Sequence, residues 1–139
     1  MSDRPQRTGT IVVGSDGSAG ARRALHWAMA EADLRGAAVQ VVVTVDPQGS
    51  SVTSIPDGER IVRETEEAAT LRDGDAEVSV GLHEGRPVDV LLSVAEGAQM
   101  LVVGSHGTSM IRHNALGSVS DVLARTAPCP VVILPMGAA

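Results

Sequence analysis

The chain contains no lysine, no phenylalanine and no tyrosine, and it carries one tryptophan, Trp27, and one cysteine, Cys129. Each scarcity removes a class of explanation. A core without Phe or Tyr has to be filled by Val, Leu, Ile, Ala and Met, the residue mix of a sheet covered by helices. All 11 basic residues are arginine, set against 17 acidic ones for a formal net charge of −6. With no basic stripe and no aromatics for bases to stack on, nucleic acid is not expected as a partner. A lone cysteine cannot form an internal disulfide, which fits a reducing compartment. No apolar run approaches the ~20 residues that span a bilayer, and MSDRPQRTGT lacks the apolar stretch of a secretory signal. The expectation is a cytoplasmic protein with no membrane partner.

What is present is a regular alternation of short β-branched runs and helical patterns. At 139 residues with 43% hydrophobic content, the chain suits one domain, 1–139, with residues 1–8 as a flexible N-terminal tail. TIVVG (10–14) reads as a buried strand ended by glycine. SDGSAG then turns into a helix with Leu25, Ala28, Met29 and Ala32 on one face and Gly36 as its stop. AVQVVVTV (38–45) is a second strand, rich enough in Val to be buried on both faces. Asp46 to Pro56 reads as a loop, followed by a charged helix over Gly58 to Arg72 with Ile61, Val62, Thr65, Ala68 and Ala69 inward. AEVSVGL, RPVDVLLSVAE, QMLVVG, SVSDVLARTA and PVVIL continue as strand, helix, strand, helix and strand. Pro87 suits a first helical turn, where its missing N–H costs nothing. Five strands alternating with helices imply an α/β fold, a parallel, doubly wound sheet with helices on both faces.

In such sheets ligands sit beyond the carboxyl ends of the strands, where the winding direction switches. Two stretches bring glycine and polar residues to that edge: SDGS after the first strand and GSHGTSMIRHNALGS (104–118) after the fourth. Gly104 and Gly107 allow backbone N–H groups to approach an anion without side-chain obstruction. Gly117, Ser118, Val119 and Ser120 open a helix, whose free N–H groups and dipole favour negative charge, with the two serines adding hydroxyls. A cradle of this kind needs no lysine. The alternative for each residue is local: Gly104 ends a strand, Gly117 eases a turn and Ser118 is an N-cap. Three glycines and two serines between a buried strand and a helix favour the anion site. The spacing matches neither a P-loop nor a dinucleotide fingerprint.

The pattern G-x2-G-x9-G-[ST], ending in GSVS and followed by APCPVVIL, resembles that of the ATP-binding universal stress proteins. The resemblance extends from IVVGSDGS through VTVDP to the last strand. It implies that Gly104, Gly107, Gly117, Ser118, Val119 and Ser120 surround the phosphates and ribose of ATP. Asp16 matches the family's acidic residue near the adenine and ribose. Thr44, next to Val45, falls where the family commonly has a small apolar residue against the base, so a backbone contact is the one expected there. The resemblance also implies a stress-response module that acts through its surface or a homodimer joined by Pro130–Leu134, with an unknown protein partner.

Several assignments stay open on the sequence. Asp16 is either a ligand contact or a turn residue or cap for the first helix. His106 either touches a phosphate or is an exposed loop histidine. Mg2+ is expected only as a companion of the phosphates, with Asp16 the nearest carboxylate to meet it. Arg112 and His113 read as the solvated outer side of the nine-residue segment, a phosphate-clamping arginine being the alternative, and the scattered His26 and His83 suggest no metal site. Cys129, between two prolines, reads as a small buried residue. Hydrolysis needs a positioned base and charge stabilisation that a lysine-free phosphate cradle does not supply, so no catalytic residue is assigned and at most slow ATP turnover is expected. The competing classes are a nucleotide-independent scaffold and a nucleotidyl-transferase-like enzyme; the latter should carry a pyrophosphate loop after the first strand, which GSDGSAG matches only loosely.

Overall fold

The computed structural model describes residues 9–45, 54–105 and 117–135. Within them the order is β1 (Thr10–Ser15), α1 (Ala19–Arg35), β2 (Ala38–Val45), α2 (Ile55–Leu71), β3 (Val78–Glu84), α3 (Pro87–Val94), β4 (Met100–Gly104), α4 (Ser118–Thr126) and β5 (Val131–Leu134). The strands form one sheet in the order β3-β2-β1-β4-β5, and every ladder is parallel. This is the doubly wound α/β architecture expected from the alternation.

Because side chains alternate across a strand, the Val-rich runs feed two separate cores. Ile11, Val13, Val39, Val41, Met100 and Val102 face α1, where Ala24, Ala28, Met29 and Ala32 are fully or almost fully buried, and Ala69 of α2 packs against the same cluster. Val12, Val42, Leu101 and Val103 face the other way, against Leu91 and Ala95 from α3 and its C-cap and Leu123 of α4. With Val39, Val41, Val42, Val43 and Val45 all at 0–1% exposure, β2 is buried on both faces, as its composition requires. The direction of winding reverses between β1 and β4, so the switch point lies at their carboxyl ends.

Two boundaries differ from the sequence expectation, each for a local reason. The second helix begins three residues before Gly58, because the Ser54 side chain accepts the Asp57 N–H at 3.2 Å and Pro56 sits in the first turn. The third strand starts at Val78, because the Ala76 N–H is held by Asp33 Oδ1 at 2.8 Å. Arg72 completes that corner, pairing with the same Asp33 carboxylate and reaching the Met29 carbonyl. A tertiary contact thus claims residues that alternation alone assigns to a strand.

Candidate functional site

Two connections meet at the switch point, and their glycines and serines do different things. After β1, Asp16 Oδ1 accepts the Ser18 N–H at 2.9 Å and Ser15 Oγ accepts the Gly17 N–H at 3.2 Å. Ser18 is the N-cap of α1, its hydroxyl accepting the Ala21 N–H at 3.1 Å. Gly17 has φ +80°, a left-handed turn that suits glycine, and a Cβ there would meet Ile61 of α2 at 2.9 Å. Asp16 therefore has the turn role left open by the sequence, while the cap itself is the neighbouring Ser18.

After β4, Gly104 lies so close to the start of α1 that a Cβ would stand 3.0 Å from the Gly20 carbonyl carbon and 3.1 Å from its oxygen. Helix and strand can approach this closely at the switch only because no side chain stands between them. Gly104 thus has a packing reason to be glycine in addition to the ligand role the motif implies. The next residue, Ser105, is 6% exposed; its N–H donates to the Leu134 carbonyl at 2.8 Å and its carbonyl accepts the Gly117 N–H at 2.6 Å. Ser105 was not singled out in the sequence, although it sits inside GSHG, because the signal there is carried by the glycines.

Gly117 is the N-cap of α4, at φ −64° and ψ 161°, and it provides no side-chain capping bond. The first helix-closing bond runs from the Asp121 N–H to the Gly117 carbonyl at 2.9 Å. The N–H groups of Ser118, Val119 and Ser120 therefore lack a side-chain cap among the described residues, at the positive end of the helix dipole. Ser118 is exposed, Val119 half-buried and Ser120 buried. The Ser120 hydroxyl is turned inward, 3.0 Å from the Ser105 carbonyl oxygen and 3.1 Å from that of Gly117.

The β2 pair lies at the same edge. Val45 is 1% exposed and its carbonyl already accepts the Gly85 N–H at 2.9 Å, whereas Thr44 is half-buried and registers with His83 of β3. The fold thus gathers Asp16, Thr44, Val45, Gly104 and Gly117–Ser120 on the carboxyl side of the sheet. His106 and Gly107 lie outside the described residues, as do Arg112 and His113. His83 stands at the end of β3 and His26 on the exposed side of α1. Among the described residues no group of three or more His, Cys, Asp or Glu is placed to hold a metal, and no helix is long and apolar enough to cross a membrane. Cys129 is half-buried beside the α3/α4 core, and burial pushes its thiol pKa up.

These features define an open, doubly wound α/β domain whose polar residues converge on the crevice between β1 and β4. Residues 8–135 match the family model for the universal stress protein family. The chain is 35% identical over 144 residues to universal stress protein Rv3134c of Mycobacterium tuberculosis, an alignment covering 96% of this chain and 51% of that protein. It is 31% identical over 132 residues to universal stress protein Rv2028c of the same organism, covering 90% and 47%. The chain spans about half the length of these curated relatives. Among solved structures, a universal stress protein in complex with cAMP superposes with a TM-score of 0.75 at 30% identity, covering 95% of this chain and 100% of that one. The universal stress protein of Archaeoglobus fulgidus in complex with dAMP gives 0.71 at 28% identity, covering 92% and 98%. This chain belongs to the universal stress protein family.

Proposed function

We propose that the chain is a nucleotide-binding stress-response module that takes ATP at the carboxyl edge of its sheet. The observation that carries this reading is the start of α4, uncapped by any described side chain and set beside the side-chain-free Gly104 at the switch point. The phosphates lie on the Ser118–Ser120 backbone and the Ser118 hydroxyl, with Gly104, His106, Gly107 and Gly117 completing the motif. Asp16 addresses the ribose, and Thr44 and Val45 the base. Mg2+ arrives with the phosphates, with Asp16 the candidate carboxylate to meet it directly or through water. The adenine nucleotides bound by the cAMP and dAMP complexes of relatives support the ligand class. The module works through binding rather than fast turnover, since a lysine-free site has little with which to stabilise a transferring phosphoryl group. Calorimetric titration of the purified chain with ATP, ADP, AMP and adenosine tests the reading. Affinity that rises with phosphate number supports it, and no heat with any of the four overturns it.

The same reading includes a homodimer in the cytoplasm. Among the described residues strand β5 pairs only with β4, and all four of its residues are half-buried: Val131 and Ile133 pack on one core, Val132 and Leu134 on the other. An uncharged β-branched edge is costly to leave open, and pairing with a second copy across a twofold axis covers it. Sedimentation of Val132→Lys should give a monomer from a dimeric parent; a monomeric parent ends this part of the proposal.

A further inference from the structure

The hydroxyl of Ser120 is not free to face an anion. Ser120 is 3% exposed, and its oxygen lies within hydrogen-bond distance of two carbonyls, Ser105 O at 3.0 Å and Gly117 O at 3.1 Å. A serine hydroxyl has one proton, and either carbonyl consumes it. When the proton is on the shorter contact, the Ser105 carbonyl accepts two bonds, since it also takes the Gly117 N–H at 2.6 Å. Ser105 is in turn anchored to β5 by its N–H on the Leu134 carbonyl at 2.8 Å. The chain leaves the sheet at Ser105 and enters α4 at Gly117, so these bonds close a neck between the end of β4 and the helix start.

We infer that Ser120 is a positioning residue that fixes the α4 N-terminus against β4 through this neck, and that it contributes to nucleotide affinity by orienting the Ser118 and Val119 N–H groups rather than by touching phosphate. The affinity clause rests on the nucleotide-binding reading above; the neck does not. Preorganised donors lose less entropy when an anion arrives, which is why a buried hydroxyl that never meets the ligand affects its binding. The Gly117 N–H is already committed to Ser105, so the helix offers the ligand its next N–H groups, and their direction follows from the register that the Ser120 bond holds. Of the two serines in the first turn of α4, Ser118 is the exposed one.

The test is amide hydrogen exchange by NMR on the ligand-free chain, alongside calorimetry with ATP and adenosine, for the parent, Ser120→Ala and Ser120→Thr. Removing the hydroxyl should speed exchange of the Gly117 amide by about fivefold or more, leaving the β1 and α1 amides at parent rates. ATP affinity should fall with adenosine affinity unchanged, and Ser120→Thr, which keeps a hydroxyl, should restore both readouts towards the parent. Loss of ATP affinity with ligand-free Gly117 exchange unchanged would mean that Ser120 contacts phosphate itself, and the inference fails. Faster exchange spread evenly over the whole sheet would reduce Ser120 to general stability, which also overturns it. A parent chain that gives no heat with ATP overturns the nucleotide reading and the affinity clause, while Gly117 exchange still decides the neck.

Discussion

Helices α1 and α4 both begin at the switch point, yet their first turns are built in opposite ways. The start of α1 is satisfied from within: Ser18 caps it, Asp16 and Ser15 close the turn before it, and the Arg22 guanidinium donates to the Gly17 carbonyl at 2.9 Å. The start of α4 has only glycine as its N-cap, and its serine hydroxyl at the third position bonds backward to carbonyls rather than forward to N–H groups. A capped helix has little left to offer an anion; an uncapped one has three orphan donors and an undiminished dipole. Two serine- and glycine-rich stretches of similar composition thus end differently: the first is closed by its own side chains, and the second carries no side-chain cap among the described residues.

The largest expected effect breaks the contact between the two regions. Gly104→Val pushes a branched side chain into the Gly20 backbone, which cannot yield as a flexible side chain would. Stability should fall by about 1–3 kcal/mol or more in urea unfolding. An unchanged midpoint would mean that α1 does not rest on β4. Next, Gly117→Val probes the open helix start alone. The Gly117 backbone, at φ −64° and ψ 161°, is accessible to valine, so the melt should stay near that of the parent. ATP affinity should drop by about tenfold or more, equivalent to ~1.4 kcal/mol. Unchanged affinity in a folded variant removes α4 as the phosphate site.

On the closed side the order of effects reverses. Ser18→Ala should cost about 1 kcal/mol of stability and leave ATP affinity intact. Asp16→Ala loses the Ser18 N–H contact, worth about 0.5–1.5 kcal/mol, and should also weaken ATP and adenosine by the same factor. A stability loss with intact binding confines Asp16 to the turn. Because the two residues share one network, the double variant should be less destabilised than the two losses added together. The smallest effect concerns Cys129 beyond the end of α4. Burial raises its folded-state pKa, so the stabilisation it lends is complete below about pH 8.5 and is lost as pH rises through the folded-state value. Unfolding curves taken between pH 8 and 10 should show a decline that is smaller in Cys129→Ala.

Much of this domain is legible along the chain, because short-range periodicity reports short-range geometry. Ala38–Val45 is a doubly buried strand by composition, Gly36 ends α1 at φ +68° as a glycine stop should, and Pro87 opens α3. The strand–helix alternation suffices for a parallel sheet, since parallel neighbours require a covering crossover.

What the chain alone did not decide are the partners of its polar groups. Nothing local distinguishes the Ser18 hydroxyl, spent on a cap, from that of Ser120, spent on a carbonyl 15 residues earlier in the sequence. Gly104 reads as room for a ligand, and only the fold brings the Gly20 backbone within 3.0 Å of where its Cβ would be. Ala76 looks like strand until Asp33, 43 residues away, claims its N–H. Periodicity determines which face a residue occupies because that is set by its neighbours in the chain. Hydrogen-bond partners and steric vacancies are set by whichever element the sheet order brings alongside, and that order exists only once the chain has folded.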